Sequence, residues 1–425
     1  MTRRRTFTLW FAVAALLAAL AAASAVAAPT KAQATTITMV MNAQYKSGMD
    51  ILIANFERVY PDIDVQVSYV TAGAPYNSLV STQFAAGNGS DILWSLGARS
   101  GPTAVWPYAE AGHLADLSNA VWVKRLFPGT KQQLVYKNKV YAWDMGLSAL
   151  ALLNYNKAYF TEKKLKPPTT FSGLLSLCRT IAGQGKIPIS WGGGSQAVNN
   201  NNTITLAGST VLSKDPTWLS KRLAGTTSFA TTPGWRRALQ MILDMKAANC
   251  FAPGVEGVTI PQMQSQYASG QAVMMYTSPA VVGGAKLLNP NLQSEMAVMP
   301  GDTAASTRLT LQDSGGLAVW SKSSHPNEAR TFVAFFAREK QSRLFATVNV
   351  QISPFDALKN KLPPAYQGVA ATFKDPAKVL KTGLNAEWPN TQMNTLSGAS
   401  IQGLFTGQKT VDDVLKDMDQ FFALK

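Results

Sequence analysis

Residues 140–180 give the strongest indication of the architecture, and they read VYAWDMGLSALALLNYNKAYFTEKKLKPPTTFSGLLSLCRT. The stretch holds an apolar, strand-like run at 147–153 that changes abruptly to the polar triplet Tyr-Asn-Lys at 155–157. A double proline follows, and then Thr169 or Thr170 is placed to cap a new helix. A strand that leaves one layered unit, followed by elements that open another, predicts a crossover between two lobes.

The residues before this crossover alternate between strand and helix patterns. Residues 36–41 read as a strand, and the apolar side chains at 49–60 recur with the helical spacing i, i+3, i+4, i+7 and i+11. Residues 63–69 alternate apolar and polar as in a strand, residues 76–84 return to the helical period, and 91–94 form a third strand. This order predicts an α/β fold with a mainly parallel sheet, whose ligands bind beyond the carboxyl ends of the strands.

The α/β pattern recurs after residue 153 and predicts a second unit of the same kind. A strand at 186–191 precedes three glycines and a polar run at 195–202. The glycines lack the Gly-Lys-Ser/Thr ending and the G-x-G-x-x-G spacing of phosphate-binding loops. A strand-like stretch at 309–320, broken by Gly315-Gly316, predicts that the chain returns to the first unit. Two such crossings would form a hinge.

Residues 1–34 have the composition of an export signal. A charged start at residues 3–5 precedes an Ala/Leu-rich apolar run at 7–28, and small-residue triplets resembling cleavage sites end at Ala27 and Ala34. We therefore expect a signal peptide with a short leader, and a protein that is periplasmic or otherwise extracytoplasmic. An uncleaved membrane anchor is the alternative, since the run is nearly long enough to span a bilayer. No cysteine is placed there to carry a lipoprotein anchor.

The charge of the chain is strongly positive, at +15. Without the four basic residues of the N-terminal segment, 35 basic residues face 24 acidic ones, a net charge of +11. The lysines and arginines are scattered and form no basic stripe with interleaved aromatic residues, so nucleic acid is not an expected partner.

Cysteine and histidine are scarce. Cys178 and Cys250 are the two cysteines, and an oxidising compartment would permit a disulfide between them, with two buried thiols as the alternative. His113 and His325 are the two histidines, and the sequence holds no Cys/His cluster. We therefore expect no metal site and no cofactor.

Four motifs carry a family resemblance. They are FERVYPDIDVQVSYV with FAAGNGSDIL; VYAWDMGLSALALLNYNKAYF with KPPTTF; YASGQAVMMYTSPAV; and DSGGLAVWSKSSHPNEARTFVAFF with GQKTVDDVLKDM. Through them the mature chain resembles the family 1 extracellular solute-binding proteins of bacterial ABC importers, the group that contains maltose-binding proteins. The chain departs from the family's usual Gly-Leu-Pro at residues 142–144, from its Thr-Trp at 170–171 and from its Gly-x-Trp at 276–278.

The resemblance implies a two-lobed periplasmic-binding-protein-like fold of type II that closes on its ligand by hinge bending. The expected division is a signal peptide and leader at 1–34, a first lobe at 35–148 plus 314–358, and a second lobe at 149–313 plus 359–425. The implied function is a monomeric receptor that captures a sugar or oligosaccharide and delivers it to the transmembrane subunits of an ABC importer. A receptor for a glycerophosphodiester, a polyamine or a ferric ion is the alternative.

Sugars present hydroxyl groups at their edges and C–H faces above and below the ring, so their sites need aromatic platforms and planar polar groups. Residues of these types at strand ends or in loops are the candidate ligand contacts: Asn42, Gln44, Trp94, Asp144, Trp191, Tyr276, Asp313 and Trp388. Each has a structural alternative. The aromatic rings could be core packing, Asp144 could cap a turn, and Asp313 could pair across the hinge. The asparagines at 199–202 could be a solvated loop or contact the ligand.

A secreted glycosidase is a competing function. It would need two carboxylates flanking the scissile bond, for which Asp144 and Asp313 could serve. The sequence has no Gly-x-Ser-x-Gly elbow, and two histidines leave little room for a catalytic triad. We therefore expect no enzymatic activity. A surface adhesin would be a third class of function. A hinge that closes around a single ligand argues against it.

Overall fold

The computed structural model describes residues 34–71, 73–359, 361–380 and 384–424, and the side chain at 385 is not described. The signal peptide, and the alternative membrane anchor, therefore lie outside the described residues except for residue 34. Within the described part of the chain, the helices are all too short or too polar to cross a membrane.

The described strands are, in chain order, β1 (Thr35–Asn42), β2 (Ile63–Val70), β3 (Ile92–Ser95), β4 (Val135–Tyr136), β5 (Lys139–Val140), β6 (Ala142–Asp144), β7 (Leu147–Ala149), β8 (Leu152–Asn156), β9 (Ile187–Ser190), β10 (Ala272–Thr277), β11 (Ser294–Ala297), β12 (Leu309–Asp313), β13 (Gly316–Val319) and β14 (Val379–Leu380). The described α-helices are α1 (Lys46–Val59), α2 (Ala74–Ala85), α3 (Val105–Glu110), α4 (Pro128–Lys131), α5 (Lys157–Glu162), α6 (Phe171–Ala182), α7 (Gln196–Ala207), α8 (Trp218–Leu223), α9 (Pro233–Ala247), α10 (Ile260–Ala268), α11 (Pro279–Leu288), α12 (Pro326–Phe336), α13 (Glu339–Val348), α14 (Pro354–Leu358), α15 (Ala370–Phe373), α16 (Met393–Thr406) and α17 (Val411–Phe422).

The first lobe is built on a five-stranded sheet with the order β2-β1-β3-β13-β6. β1 pairs in parallel with β2 and β3, as the alternating strand and helix patterns predicted. β13 and β6 join antiparallel to their neighbours, so the sheet is mixed. Helix α1 buries Leu52 and Phe56 against this sheet, and each such side chain contributes roughly 1.5–3 kcal/mol by leaving water. The position of β13 inside this sheet confirms that the chain returns to the first unit after Gly315-Gly316.

The second lobe is built on a four-stranded sheet with the order β11-β8-β10-β9. Thr170 caps helix α6 by accepting a hydrogen bond from the backbone N–H of Gly173 at 3.2 Å. On the buried face of α6, Cys178 forms a disulfide with Cys250, which follows helix α9. The structure thus decides between the two alternatives left open for the cysteines.

The interpretation of residues 199–202 as a solvated loop is wrong. These residues lie in helix α7, which runs on into a turn of π-helix at Gly208–Leu212. The asparagines are buried because the protein itself bonds their amides: Asn199 donates to the Gly193 carbonyl oxygen at 2.8 Å, and Asn202 donates to that of Tyr276 at 3.0 Å. Tertiary hydrogen bonds override the weak helix propensity of asparagine.

A third sheet, β14-β12-β7, lies where the chain passes between the lobes, and we call it the hinge sheet. β7 and β12 are antiparallel, with Leu147 opposite Asp313, so two crossing segments run side by side. Leu147 also exchanges two backbone hydrogen bonds of 2.8 Å with Ile352, which brings a third segment to the same place. The exact lobe boundaries given above stay a prediction.

The last helix, α17, offers a test of local stability. The Thr410 side chain accepts from the Asp413 backbone N–H at 3.2 Å, and the Asp413 carboxylate accepts from the Thr410 N–H at 2.9 Å, which together form a capping box. Thr410→Ala should lower the free energy of unfolding by about 1 kcal/mol, measured by urea denaturation. Gln408→Ala, on an exposed side chain just before the cap, is the control. An equal loss in both variants would contradict the role of the cap.

Candidate functional site

A cavity of about 310 Å³ lies between the two lobes, and we call it the interlobe cavity. Its walls come from residues 73–104 of the first lobe, from the start of α7 in the second lobe, from the end of β12 and from residues 386–395. The amide, carboxylate and aromatic side chains on these walls include Asn77, Trp94, Asn200, Gln312, Asp313 and Asn394, and serine and threonine hydroxyls add to them. The position agrees with the sequence expectation that ligands bind beyond strand ends.

Trp94 is held rigidly in the wall of the cavity. It lies on β3, and its indole N–H donates to the Ser314 carbonyl oxygen at 3.0 Å. The ring of Tyr76 meets it edge-on at a centroid distance of 5.1 Å, and the Tyr76 hydroxyl donates to the Trp94 carbonyl oxygen. The aromatic surface is thus fixed before any ligand arrives, which lowers the entropic cost of binding.

Asp313 lines the same cavity at the end of β12. Its Oδ2 accepts from the backbone N–H groups of Gly97 at 2.9 Å and of Gly315 at 3.2 Å. Burial raises the pKa of this carboxyl group, and the backbone donors act against that rise. A Cβ on Gly97 would come within 2.8 Å of Oδ2, so this close approach requires glycine. Asp313 therefore both faces the cavity and ties the hinge sheet to the first lobe.

Asp144 is completely buried and is not part of the cavity lining. Its Oδ1 accepts from the Gly146 N–H at 2.8 Å, and its Oδ2 accepts from the Thr130 hydroxyl. Burial raises its pKa to about 7, and the like charge of Asp313 adds to the rise while these hydrogen bonds oppose it. In the described part of the chain neither carboxylate forms a salt bridge. The position of Asp144 agrees with the alternative that it caps a turn.

Asn42 and Gln44 lie at the end of β1 but do not line the cavity. The Asn42 side chain accepts from the Gln44 backbone N–H at 3.1 Å and caps a short helical turn, Ala43–Tyr45. Asn42 is buried and Gln44 is exposed. The structure thus gives Asn42 a capping role that the sequence had not suggested.

Trp191, Tyr276 and Trp388 belong to the core of the second lobe, where each has a relative exposure of 0%. The Trp191 indole N–H donates to Asn199 Oδ1 at 2.8 Å, and its ring packs on that of Tyr276 at 5.5 Å. Trp388 meets Phe229 edge-on at 6.3 Å. The structure does not bring these three rings to the cavity, because surrounding side chains enclose each of them.

Several polar cavity residues were not among the eight candidate contacts, including Asn77, Gln312 and Asn394. Asn200, one of the asparagines for which ligand contact had been left open, also lines the cavity. Asn200 lies on α7 and Asn394 on α16, and the Asn200 side-chain amide donates to Asn394 Oδ1 at 2.9 Å. The feature of the sequence that could have pointed to Asn200 is the run of four asparagines at 199–202, but its polarity suggested a loop. Helical phase instead buries some of these residues and turns others to the cavity.

The structure has two α/β lobes, a hinge sheet in which the crossing segments pair, and a cavity between the lobes. This arrangement is that of a solute-binding protein of the hinge-bending class. Residues 42–342 match the family described as bacterial extracellular solute-binding protein, and the chain belongs to that family. The family resemblance and the two-lobed α/β fold expected from the sequence are thereby confirmed.

Relatives and solved structures extend this result. The chain is 24% identical over 359 residues to the melibiose/raffinose/stachyose-binding protein MelE of Bacillus subtilis (strain 168), covering 81% of this chain and 79% of MelE. The structure resembles apo RafE from Streptococcus pneumoniae with a TM-score of 0.71, at 18% identity over 93% of this chain and 99% of RafE. A sugar transporter from Bacillus licheniformis in complex with stachyose has a TM-score of 0.70, at 19% identity over 91% of this chain and 98% of that chain.

Proposed function

We propose that the protein is an extracytoplasmic receptor that captures an oligosaccharide in the interlobe cavity and delivers it to the membrane subunits of an ABC importer. The observation that carries the proposal is a cavity whose lining combines a fixed indole ring with amide, hydroxyl and carboxylate groups from both lobes. MelE, named for binding melibiose, raffinose and stachyose, supports the choice of ligand class. Export by the N-terminal signal peptide without a lipid anchor, and action as a monomer, complete the proposal.

The chemistry of the lining suits a sugar. Trp94, with a relative exposure of 5%, brings aromatic carbon to the wall for a sugar C–H group to contact, and amides such as those of Asn77 and Asn394 can donate and accept hydrogen bonds at a ring edge. A volume of about 310 Å³ lies at the lower end of the range for small-molecule sites. Once closure excludes water from the cleft, polar groups left without a partner would disfavour a ligand that lacks matching hydroxyls.

Closure explains how one site can signal to a transporter. Trp94 stands on the first lobe and Asn394 on the second, so a ligand that touches both residues stabilises the closed arrangement over the open one. The crossing strands β7 and β12 would absorb the bending. The membrane subunits would then recognise the closed form.

The same geometry argues against catalysis. A glycosidase would need two carboxylates facing the bond, whereas Asp313 alone of the candidate pair lines the cavity and Asp144 lies in the protein interior. We therefore propose a binding protein without enzymatic activity.

Calorimetry with melibiose, raffinose, stachyose, chitin oligosaccharides and xylo-oligosaccharides tests the proposal, with spermidine and glycerophosphocholine as the competing classes. At least one saccharide should bind, and small-angle scattering should show compaction on its addition. Tight binding of a non-sugar together with no saccharide binding would refute the proposal, as would hydrolysis of a bound sugar.

Trp94→Ala should weaken binding of the best saccharide by about tenfold to a hundredfold, because the variant loses the aromatic surface that faces the cavity. Trp94→Phe keeps an aromatic face and loses the indole N–H, so its effect should be smaller. Isothermal calorimetry measures both affinities, and a thermal unfolding curve shows that each variant is folded. Unchanged affinity in a folded Trp94→Ala variant would remove Trp94 from the site.

A further inference from the structure

The interlobe cavity carries one ionisable side chain among the described residues that line it, the carboxylate of Asp313. The remaining lining consists of amides, hydroxyls, apolar groups and backbone. The chain as a whole has a net charge of +15, so basic residues are abundant elsewhere. The cavity lining therefore carries an acidic group and no basic one, although the chain as a whole has a positive net charge.

Arg99 is the basic residue next to the lining residue Ser100, and its side chain is engaged elsewhere. Its Nη2 lies 3.5 Å from Glu110 Oε2, and its guanidinium carbon lies 6.0 Å from the centroid of the Trp106 ring. The backbone N–H of Arg99 donates to the Ala386 carbonyl oxygen at 2.9 Å across the cleft. The Arg99 backbone thus forms a hydrogen bond across the cleft, while the charged guanidinium group of Arg99 pairs with Glu110.

The Asp313 carboxylate is held in place by the backbone. Two backbone N–H groups point at Oδ2, an arrangement that stabilises the ionised carboxylate. Among the described residues, no salt bridge neutralises Asp313. When it is ionised, Asp313 therefore acts on the cavity without a neutralising cation among the described residues, and low dielectric strengthens its field.

We propose that the interlobe cavity selects its saccharide by charge, admitting neutral and amine-bearing sugars and rejecting those that carry a carboxylate or phosphate group. The inference rests on the proposed function as a saccharide receptor. An ammonium group near Asp313 gains a charge-assisted interaction, whereas an anionic group meets repulsion and is buried without a cation. The same reasoning disfavours a glycerophosphodiester, because the described lining offers its phosphate no basic partner.

The test offers two saccharide scaffolds, each in three charge states, to the full-length protein. Raffinose and cellobiose are each supplied with a terminal 6-hydroxyl, a 6-amine or a 6-carboxylate, and affinities are measured by native mass spectrometry and calorimetry. On a scaffold that binds, the amine should bind at least about tenfold tighter than the carboxylate, a difference of 1.4 kcal/mol. Equal or tighter binding of the carboxylate would overturn the inference. If no form of either scaffold binds, the saccharide proposal fails for these sugars and the inference fails with it.

Two variants separate charge from shape. Asp313→Asn should bring the amine-to-carboxylate ratio close to one. Asn394→Asp, which adds a second carboxylate to the lining and keeps the acceptor for Asn200, should enlarge the ratio by about tenfold. Asp313 also accepts a hydrogen bond from Gly97, so a thermal unfolding curve must show that the Asp313→Asn variant is folded. If that variant is unfolded, the result for Asn394→Asp decides the test. A ratio that Asn394→Asp leaves unchanged would contradict selection by charge.

Discussion

Replacing Cys178 and Cys250 together with alanine should lower the free energy of unfolding of the second lobe by about 4 kcal/mol. The disulfide joins residues that are 72 positions apart, so it removes a large loop from the conformational freedom of the unfolded chain. Both cysteines have a relative exposure of 0%, which means that the alanines also leave a small void in the core. The expected result is an earlier transition in urea or heat, followed by tryptophan fluorescence.

Reductant provides the matched control. The parent protein in excess reductant should approach the stability of the double alanine variant once unfolding exposes the bond, whereas the variant itself should not respond. The first lobe carries neither cysteine, so a separate first-lobe transition should stay in place. A double variant as stable as the oxidised parent would show that the bond contributes nothing.

Asp144→Asn should remove a pH dependence of about 4 kcal/mol in the free energy of unfolding. The ordinary pKa of this carboxyl group is 3.8, and burial raises it to about 7 in the folded protein. The folded state thus holds the proton more tightly than the unfolded chain does, and the contribution of Asp144 to stability falls as the pH rises from about 4 to about 7. The magnitude follows from 1.36 kcal/mol for each unit of pKa difference.

The measurement is urea denaturation of both proteins at several pH values between 4 and 8. Relative to the parent, Asp144→Asn should gain about 4 kcal/mol between pH 4 and pH 8, because asparagine has no proton to lose. Asparagine can still accept from Gly146, and the Thr130 hydroxyl can rotate to accept from the new amide. A stability difference independent of pH would contradict the raised pKa.

Asp91→Asn is the control of opposite sign. Burial acts to raise the pKa of Asp91, but hydrogen bonds from the Ser323 hydroxyl and from Thr38 outweigh burial and lower it. Its contribution to stability is therefore present at neutral pH and is lost as the pH falls. The two variants should change the pH profile in opposite directions.

The local elements of the first lobe could be predicted because each has a regular pattern. The alternation at 63–69 gives strand β2, and the apolar spacing at 49–60 gives helix α1. Capping chemistry also acts within a few residues, which is why Thr170 was among the caps expected for helix α6.

The candidate site was harder to predict, because burial depends on residues far away in the chain. Trp191 ends a strand and precedes three glycines, which suggested an exposed ring, yet Phe251 and Phe405 enclose it from distant helices and loops. Asn200 sat in a run that looked like a loop, yet its partner Asn394 lies on α16. Neither partner could be read from the neighbouring sequence.

The sequence by itself determined the two α/β units, the crossings between them and the family, because these depend on periodicity and on motifs within short windows. Only the tertiary structure decided that Cys178 and Cys250 are bonded, that Asp144 is interior while Asp313 faces the cavity, and that α7 carries an amide into it. The physical reason is that a disulfide, a raised pKa and a cavity wall each arise from groups that folding brings together from separate parts of the chain.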